Sequence, residues 1–159
     1  MANITVITVG TLKEEYLRSA VEEYKKRLSQ YARVEEINIK EERIFDEDDR
    51  AEISRVLLAE GEKILAAVPK GAAKIALCVE GKQYTSEELA SLVGKCCDAS
   101  GKTALIIGSS HGLADTVKRA CDARISLSAL TFPHQLARVI LFEALYRSFT
   151  ILAGKKYHK

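Results

Sequence analysis

The chain has 159 residues, of which 47% are hydrophobic and 29% charged, and its formal net charge is +2. This composition excludes a disordered chain, and no apolar run approaches the roughly 20 residues of a membrane-spanning helix. The sequence begins directly with a strand-like run and has no basic leader, so we expect a cytoplasmic protein with a single domain over residues 1–159.

The first half of the chain alternates strand and helix patterns. In chain order it predicts a strand at 4–9 ended by Gly10, an amphipathic helix at 17–31, a strand at 34–39 exposed on one face, a charge-rich loop at 40–50 and a long helix at 53–68. Pro69 and Gly71 supply the stop signal after this helix.

The second half continues the alternation. In chain order it predicts a buried central strand at 75–79, a turn at Gly81, a helix between Thr85 and Gly101, a strand at 103–107, a short helix at 114–120, a strand at 124–127 and a helix from Pro133 to about Ile151. Thr85 and Glu88 have the spacing of a capping box. The last helix is apolar on more than one face, so it needs cover on both sides, and a partner subunit is a candidate cover. We therefore predict an α/β fold with a mainly parallel sheet.

The four cysteines do not have the spacing of a zinc site or a disulfide framework. They are Cys78, Cys96, Cys97 and Cys121. We expect buried, reduced thiols and no metal site.

Charge is distributed unevenly along the chain. Residues 35–62 carry 11 of the 22 acidic residues but only 4 of the 24 basic ones, which leaves a net charge of +9 on the rest. After Glu143 the chain contains basic residues and no acidic ones. A basic end beside an acidic band indicates either an anionic partner or a merely solvated surface.

Residues 108–112, Gly-Ser-Ser-His-Gly, lie between a predicted strand and a predicted helix and fit the Gly-x-Ser-x-Gly pattern of a serine hydrolase. The candidate triad consists of Ser110 as nucleophile, Asp115 or Asp122 as orienting acid and His134 or His158 as base. Against this hypothesis, the pattern is permissive and Asp115 follows Ser110 too closely. The same loop suits ligand binding, because glycine allows close approach of the backbone and a helix N-terminus favours polar or anionic groups.

Two further segments carry candidate binding chemistry. Residues 126–133 form a Ser- and Thr-lined passage from a strand into a helix, which is either an ordinary connection or a ligand-binding turn. The chain ends in Gly-Lys-Lys-Tyr-His-Lys, where tyrosine can stack on an unpaired base and lysines can contact phosphates. With Arg147, this tail is a candidate RNA-binding surface, and the alternative is a frayed terminus.

Three segments together resemble the RlmH family, which are small SPOUT-class methyltransferases of the bacterial ribosome. The segments are Ile107-Gly108 with Gly112-Leu113, the run from Ser126 to Leu136 with Arg138, and Glu143 to Arg147 with the terminal Tyr157-His158-Lys159. The resemblance covers the whole chain, including the first strand before Gly10. It implies a single SPOUT methyltransferase domain with a C-terminal trefoil knot, a homodimer, and S-adenosylmethionine as methyl donor. The knot follows from the resemblance alone, since general rules of chain topology argue against one.

The resemblance also implies a reaction and a site. The expected reaction is methylation of N3 of pseudouridine 1915 (rRNA numbering) in 23S rRNA of the assembled ribosome. The residues expected around the cofactor are Leu77, Gly108, Leu127, Ser128, Ala129, Leu130, Thr131 and Phe132. The residues expected near the target base are Arg147, Tyr157 and His158, with the tail serving the partner subunit's site. His158 is the candidate base for the N3 proton, and Arg147 is the candidate to stabilise the base anion or a phosphate.

The chain departs from the family pattern at Ser109 and His111, where a second glycine and an acidic residue are usual, and at Lys156, where a proline is common. We expect the Cβ of Ser109 to lie where backbone and cofactor approach closely, and to change the affinity. A non-catalytic ribosome-binding factor on the same fold is therefore a further alternative, beside the serine hydrolase.

Overall fold

Strands and helices alternate along the chain in the computed structural model, which describes residues Met1–Lys159. The strands are β1 (Ala2–Val9), β2 (Ala32–Ile39), β3 (Ala73–Gln83), β4 (Lys102–Ile107) and β5 (Ala123–Ser126). The helices are α1 (Glu15–Leu28), α2 (Arg50–Ala67), α3 (Ser86–Ser100), α4 (Asp115–Ala120) and α5 (His134–Leu152). All strand pairs are parallel, in the order β2-β1-β4-β3-β5. The predicted α/β class with a parallel sheet is confirmed, and none of the helices is long and apolar enough to cross a membrane.

Both faces of the sheet are buried because successive side chains of a strand point to opposite sides. Ile4 and Val6 of β1 pack with apolar residues of α1, α3 and α5. Ile7 and Val9 of the same strand pack with apolar residues of α2 and α4. The molecule therefore has three layers, with the carboxyl ends of all five strands at one edge.

The start of α3 shows how local sequence sets an element boundary. The hydroxyl of Thr85 accepts a hydrogen bond from the backbone N–H of Glu88 at 3.1 Å, and the carboxylate of Glu88 accepts one from the N–H of Thr85 at 2.9 Å. The predicted capping box is thus confirmed. Gly101 ends the helix in the left-handed conformation, with φ of +68°.

The prediction of a turn at Gly81 is wrong, because β3 continues to Gln83. Leu77 and Lys82 both align with Ile125 of β5, so residues 78–81 are left out of the pairing and form a bulge. A Cβ at Gly81 would lie 2.5 Å from the carbonyl carbon of Ile125. Gly81 therefore allows the backbone of β3 to approach the backbone of β5 closely, and it does not form a turn. We call residues 78–81 the β3 bulge.

The prediction that 75–79 is a buried central strand is confirmed for Ile75 and Ala76, which are at most 1% exposed, and is wrong at its far end. β3 lies next to the edge strand β5, and Val79 is 88% exposed. The neighbouring strand β4 ends at Ile107, opposite Leu77, so the residues beyond Leu77 have no strand on that side. Continuous apolar sequence therefore does not guarantee burial here.

Helix α5 buries one apolar face and leaves another partly open. Leu141, Phe142 and Leu145 are at most 1% exposed in the core shared with α1 and α3. Leu136 is 39% exposed, and Ile140 is only half-buried. The chain itself thus covers only part of the apolar surface of α5, and a partner subunit as cover for the rest stays a prediction.

Arg138 of α5 is 2% exposed and joins the last helix to the first strand. Its Nη2 donates hydrogen bonds to the carbonyl oxygens of Val9 at 3.3 Å and Gly10 at 3.0 Å. Burial lowers the pKa of Arg138, and nearby Glu36 opposes that shift.

The cysteines are free as predicted, but all four are half-buried rather than buried. Burial raises the pKa of each thiol, for Cys121 to about 11. They therefore stay protonated at neutral pH, which disfavours a nucleophilic role.

Glu60 is a buried carboxylate within α2, only 2% exposed. One oxygen accepts a hydrogen bond from the N–H of Glu42 at 3.0 Å, while Oε1 has no partner. Burial raises the pKa of Glu60 above its ordinary value of 4.5. Ionisation of this group in the folded state therefore has a cost in stability.

We predict that Glu60→Gln becomes more favourable relative to the parent protein as pH rises from about 5 to about 8. A carboxyl whose pKa is raised by folding contributes most at low pH, and that contribution is lost as pH rises through the folded-state pKa. Thermal unfolding at several pH values measures the difference in Tm. Glu62→Gln, at an exposed position two residues further along α2, is the matched control. A difference in Tm that is independent of pH would contradict the prediction.

Candidate functional site

A cleft of about 330 Å³ opens at the carboxyl ends of β3, β4 and β5. Seven of the eight residues predicted around a cofactor line it, namely Leu77, Gly108, Leu127, Ser128, Leu130, Thr131 and Phe132. Ala129 does not line the cleft and is exposed. The segment 126–132 is therefore a wall of this cleft and not only a connection.

Hydroxyl groups hold the shape of this wall. The hydroxyl of Ser126 donates to the carbonyl oxygen of Ser128 at 3.1 Å, and the hydroxyl of Ser128 accepts from the N–H of Leu130 at 3.0 Å. These bonds replace backbone pairing after β5 ends. The remaining lining mixes apolar side chains with small polar groups, as in sites for small organic ligands.

The loop 108–112 forms the opposite wall, and its own packing requires Gly108. A Cβ at that position would lie 2.1 Å from the carbonyl oxygen of Gly112. Ser109 is 7% exposed, its carbonyl accepts from the N–H of Gly112 at 2.9 Å, and its hydroxyl accepts from the N–H of His111 at 3.3 Å. These bonds hold Ser109 within the loop, and the residue also lines the cleft, so its effect on cofactor affinity stays a prediction.

The structure does not assemble the serine hydrolase triad. Ser110 is exposed and no histidine hydrogen-bonds to it, while the neighbouring His111 pairs with Glu47 at 2.7 Å. Asp122 accepts a hydrogen bond from the N–H of Lys74 at 2.7 Å, near the start of β3 and so at the end of the sheet opposite the cleft. The Gly-x-Ser-x-Gly pattern therefore belongs to the cleft wall.

The acidic segment 40–50 lies along the rim of the cleft and is held in place by hydrogen bonds. The carboxylate of Glu52 accepts from the N–H groups of Phe45 at 2.7 Å and Asp46 at 3.1 Å. The Glu47–His111 contact joins this segment to the loop 108–112. A segment predicted as a loop is thus an ordered loop.

The chain end forms a second group of polar side chains, which we call the tail network. Glu143 Oε1 accepts from Arg147 Nη2 at 2.6 Å and from the hydroxyl of Tyr157 at 3.2 Å. His158 lies between Arg147, with 3.2 Å from Nδ1 to Nη1, and Glu87 of α3, with 2.7 Å from Nε2 to Oε1. The last residues therefore pack on α5 and α3, unlike a frayed terminus.

These contacts assign the protons of His158. Arg147 can only donate, so Nδ1 accepts and Nε2 carries the proton that is donated to Glu87. Both nitrogens are then occupied, and His158 has no free lone pair for a role as base in this arrangement. The hydrogen bond that Arg147 donates to Glu143 raises the pKa of Arg147, and burial beside Glu143 raises the pKa of Tyr157.

The predicted residues form two groups that one chain does not bring together. Arg147, Tyr157 and His158 do not line the cleft. Ala137 of α5 lines it, and Arg147 lies ten residues further along the same helix, which is roughly 15 Å at 1.5 Å per residue.

Sequence reasoning missed the contribution of the β3 bulge and of α4. Cys78, Val79 and Glu80 line the cleft together with Lys118, and Lys118 forms an ion pair with Glu80. No group of three or more His, Cys, Asp or Glu side chains is arranged to hold a metal ion. The position of Glu80 next to Gly81 was the available signal, because a glycine in a strand often marks a bulge.

Comparison with known proteins agrees with this architecture. A family model described as "Predicted SPOUT methyltransferase" matches residues 2–158. A Bordetella pertussis structure described as a probable methyltransferase has a TM-score of 0.59 at 16% identity, covering 93% of this chain and 95% of that one. A probable methylase family protein from Haemophilus influenzae has a TM-score of 0.57 at 14% identity, covering 98% and 70%. At these identities the two structures support the fold alone.

Relatives with higher identity narrow the assignment. A Caldicellulosiruptor saccharolyticus protein named Ribosomal RNA large subunit methyltransferase H is 46% identical to this chain, over 98% of this chain and 99% of the relative. A Shouchella clausii protein of the same name is 43% identical to it, over 99% of each chain. The full-length family match, this identity and the cleft at the strand ends agree with one another. The chain therefore belongs to the RlmH family of SPOUT methyltransferases.

Proposed function

We propose that this protein transfers a methyl group from S-adenosylmethionine to N3 of a pseudouridine in 23S rRNA of the assembled ribosome, in the cytoplasm and as a homodimer. The observation that carries the proposal is the cleft, which brings together seven residues that the family pattern associates with the cofactor. The names of the relatives support a large-subunit rRNA substrate.

The residues of the cleft fit this cofactor. Leu77, Ile107 and Phe132 provide apolar surface for a flat adenine ring. The turn held by Ser126 and Ser128 brings backbone groups to the same surface without a charged side chain. When bound, S-adenosylmethionine supplies an activated methyl group on a sulfonium centre.

We propose that the tail network acts on the acceptor base. The guanidinium of Arg147 presents donors to the anion that forms when N3 loses its proton, or to a phosphate of the RNA. Tyr157 offers a ring for contact with the base. For His158 to take the N3 proton, its contact with Arg147 has to open when RNA binds, which frees Nδ1.

A homodimer accounts for the separation of the two groups. Methyl transfer needs donor and acceptor within about 3–3.5 Å, whereas Arg147 lies roughly 15 Å from the cleft along α5. A partner that packs on the partly exposed stripe of α5, which includes Leu136 and Ile140, covers apolar surface and can bring its tail to this cleft. The unit of function is then a pair of single-domain chains.

We also propose that the C-terminal part carries the trefoil knot of the family. The chain leaves the edge strand β5, forms the cleft wall at 127–132, and then returns as α5 to contact β1 through Arg138. A crossing of this kind beside the loop 108–112 is compatible with a threaded chain.

Mass analysis of 23S rRNA tests the reaction. Ribosomes from a strain that lacks the gene should lack the methyl group, and the purified protein with S-adenosylmethionine should restore it on assembled ribosomes. Naked 23S rRNA is the matched substrate control. Failure to methylate ribosomes under conditions where the protein binds both ribosome and cofactor would favour the non-catalytic binding factor.

The serine hydrolase alternative has a separate test. No histidine hydrogen-bonds to Ser110, so its hydroxyl has no base to activate it as a nucleophile. A fluorophosphonate probe should not label the folded protein. Labelling that disappears in Ser110→Ala would revive this alternative.

A further inference from the structure

The cleft contains one ion pair that belongs neither to the proposed adenine surface nor to the tail network. Glu80 of the β3 bulge and Lys118 of α4 both line the cleft, and their charged ends are in contact. No other carboxylate, lysine or arginine lines it, and its remaining titratable side chains are Cys78, His111 and His134. A single pair of opposite charges in an otherwise neutral site is a specific feature.

The bulge in β3 places this pair at the cleft. Leu77 and Lys82 both align with Ile125, so residues 78–81 between them lie outside the strand pairing. The resulting bulge brings Glu80 into contact with Lys118 of α4. The side chain of Lys118 is only 17% exposed and that of Glu80 is 52% exposed. The contact with Lys118 lowers the pKa of Glu80, so the carboxylate is ionised at neutral pH.

A partly exposed ion pair contributes little to stability, typically about 0–1 kcal/mol. A ligand that carries both a cation and an anion can exchange with such a pair, because each protein charge then keeps an opposite charge beside it. The amino-acid end of S-adenosylmethionine is a zwitterion with an α-ammonium and an α-carboxylate group. Exchange with this zwitterion therefore leaves no charge unpaired.

We propose that Glu80 and Lys118 form the subsite for the amino-acid end of the methyl donor, with Glu80 receiving the α-ammonium and Lys118 the α-carboxylate. This inference rests on the proposed function, since it takes the cleft as the cofactor site. It makes the pair a determinant of ligand specificity, separate from the proposed adenine surface at Leu77, Ile107 and Phe132.

Two ligands that differ only in this end test the proposal. S-adenosylhomocysteine carries the amino-acid end, 5′-methylthioadenosine lacks it, and neither has a sulfonium charge. Calorimetry on the purified full chain measures both affinities. We expect Lys118→Met and Glu80→Gln each to weaken S-adenosylhomocysteine about tenfold, within the range for a hydrogen bond to a charged group, and to leave 5′-methylthioadenosine within about twofold.

Two further variants separate this role from a structural one. The double variant Glu80→Lys with Lys118→Glu keeps an ion pair but exchanges the charges, so it should lose the preference for S-adenosylhomocysteine as the single variants do. Lys25→Met removes a comparable ion pair with Glu22 on α1 and should change neither affinity. Circular dichroism confirms that each variant is folded.

The outcomes distinguish an error in the subsite from an error in the cofactor assignment. If the parent protein binds neither ligand at millimolar concentration, both the cofactor assignment and the subsite are wrong. If it binds S-adenosylhomocysteine but the variants weaken both ligands equally, or weaken neither, the subsite is wrong and the proposed function stands. Retained preference in the charge-exchanged variant would likewise show that the pair serves only as a structural contact.

Discussion

Arg147→Ala is expected to reduce methyl transfer to ribosomes by about 100- to 1,000-fold while S-adenosylhomocysteine still binds, if the tail network acts on the acceptor base. The change removes the guanidinium donors from the acceptor side and leaves the cleft intact, since Arg147 does not line it. Single-turnover methylation and calorimetry on the same preparation measure the two effects. Arg147→Lys keeps the charge but not the two-donor contact with Glu143, so it should recover only part of the rate.

A mixing experiment extends this prediction to the shared site. We combine Arg147→Ala with a variant that cannot bind the cofactor, each of which has little activity alone. If the tail of one subunit serves the cleft of the other, half of the dimers are mixed and each mixed dimer has one intact site, which gives about a quarter of the parent activity. Thermal unfolding of each variant checks that both are folded. No recovery, with mixed dimers demonstrated, would place both groups in one subunit's site and contradict the proposed arrangement.

Gly108→Ala is expected to lower the free energy of unfolding by about 2–3 kcal/mol and to abolish measurable binding of S-adenosylhomocysteine. The added Cβ would lie 2.1 Å from the carbonyl oxygen of Gly112, so the loop 108–112 has to move. That loop is a wall of the cleft, and displacement of a backbone cannot be relieved by a rotamer change. Urea unfolding and calorimetry measure the two losses.

The matched control for this variant is Gly94→Ala in α3. There the nearest atom to an added Cβ is a terminal methyl group of Leu152 at 3.0 Å, which can rotate away. Alanine is also a better helix former than glycine, by up to about 1 kcal/mol. Gly94→Ala should therefore leave stability and binding nearly unchanged. Equal losses in the two variants would mean that the effect at Gly108 is not specific to the loop.

Local sequence signals predicted the elements well where they depend on neighbours in the chain. The Thr85–Glu88 capping box and the stop at Gly101 are properties of a few consecutive residues, and both appear in the structure. The prediction failed at Gly81 because a bulge depends on register with another strand. A glycine that allows a turn and a glycine that allows close strand packing look the same in one sequence.

The candidate site, like the fold, could be predicted from the sequence only in part. The family pattern predicted the cleft wall at 126–132, and Ala129 is the one residue of this segment that does not line the cleft. Glu80 and Lys118 are 38 positions apart in the numbering and meet only because β3 bulges towards α4. The contact of His158 with Glu87 joins the chain end to α3 across 71 positions. Pairings over such distances follow from the tertiary structure and carry no periodic signal.

The bond from Arg138 to Gly10 has a consequence for how the molecule is made. The two residues are 128 positions apart, so the carbonyl groups at the end of the first strand receive these hydrogen bonds only after the last helix has been made. Leu141, Phe142, Leu145 and Phe149 of that helix also complete the core on the α1 and α3 face. During synthesis the other face, covered by α2 and α4, has all its helices before α5 emerges. The α1 and α3 side of a growing chain thus remains open and prone to unwanted association until translation is nearly complete, and closure of this face is a late step of folding.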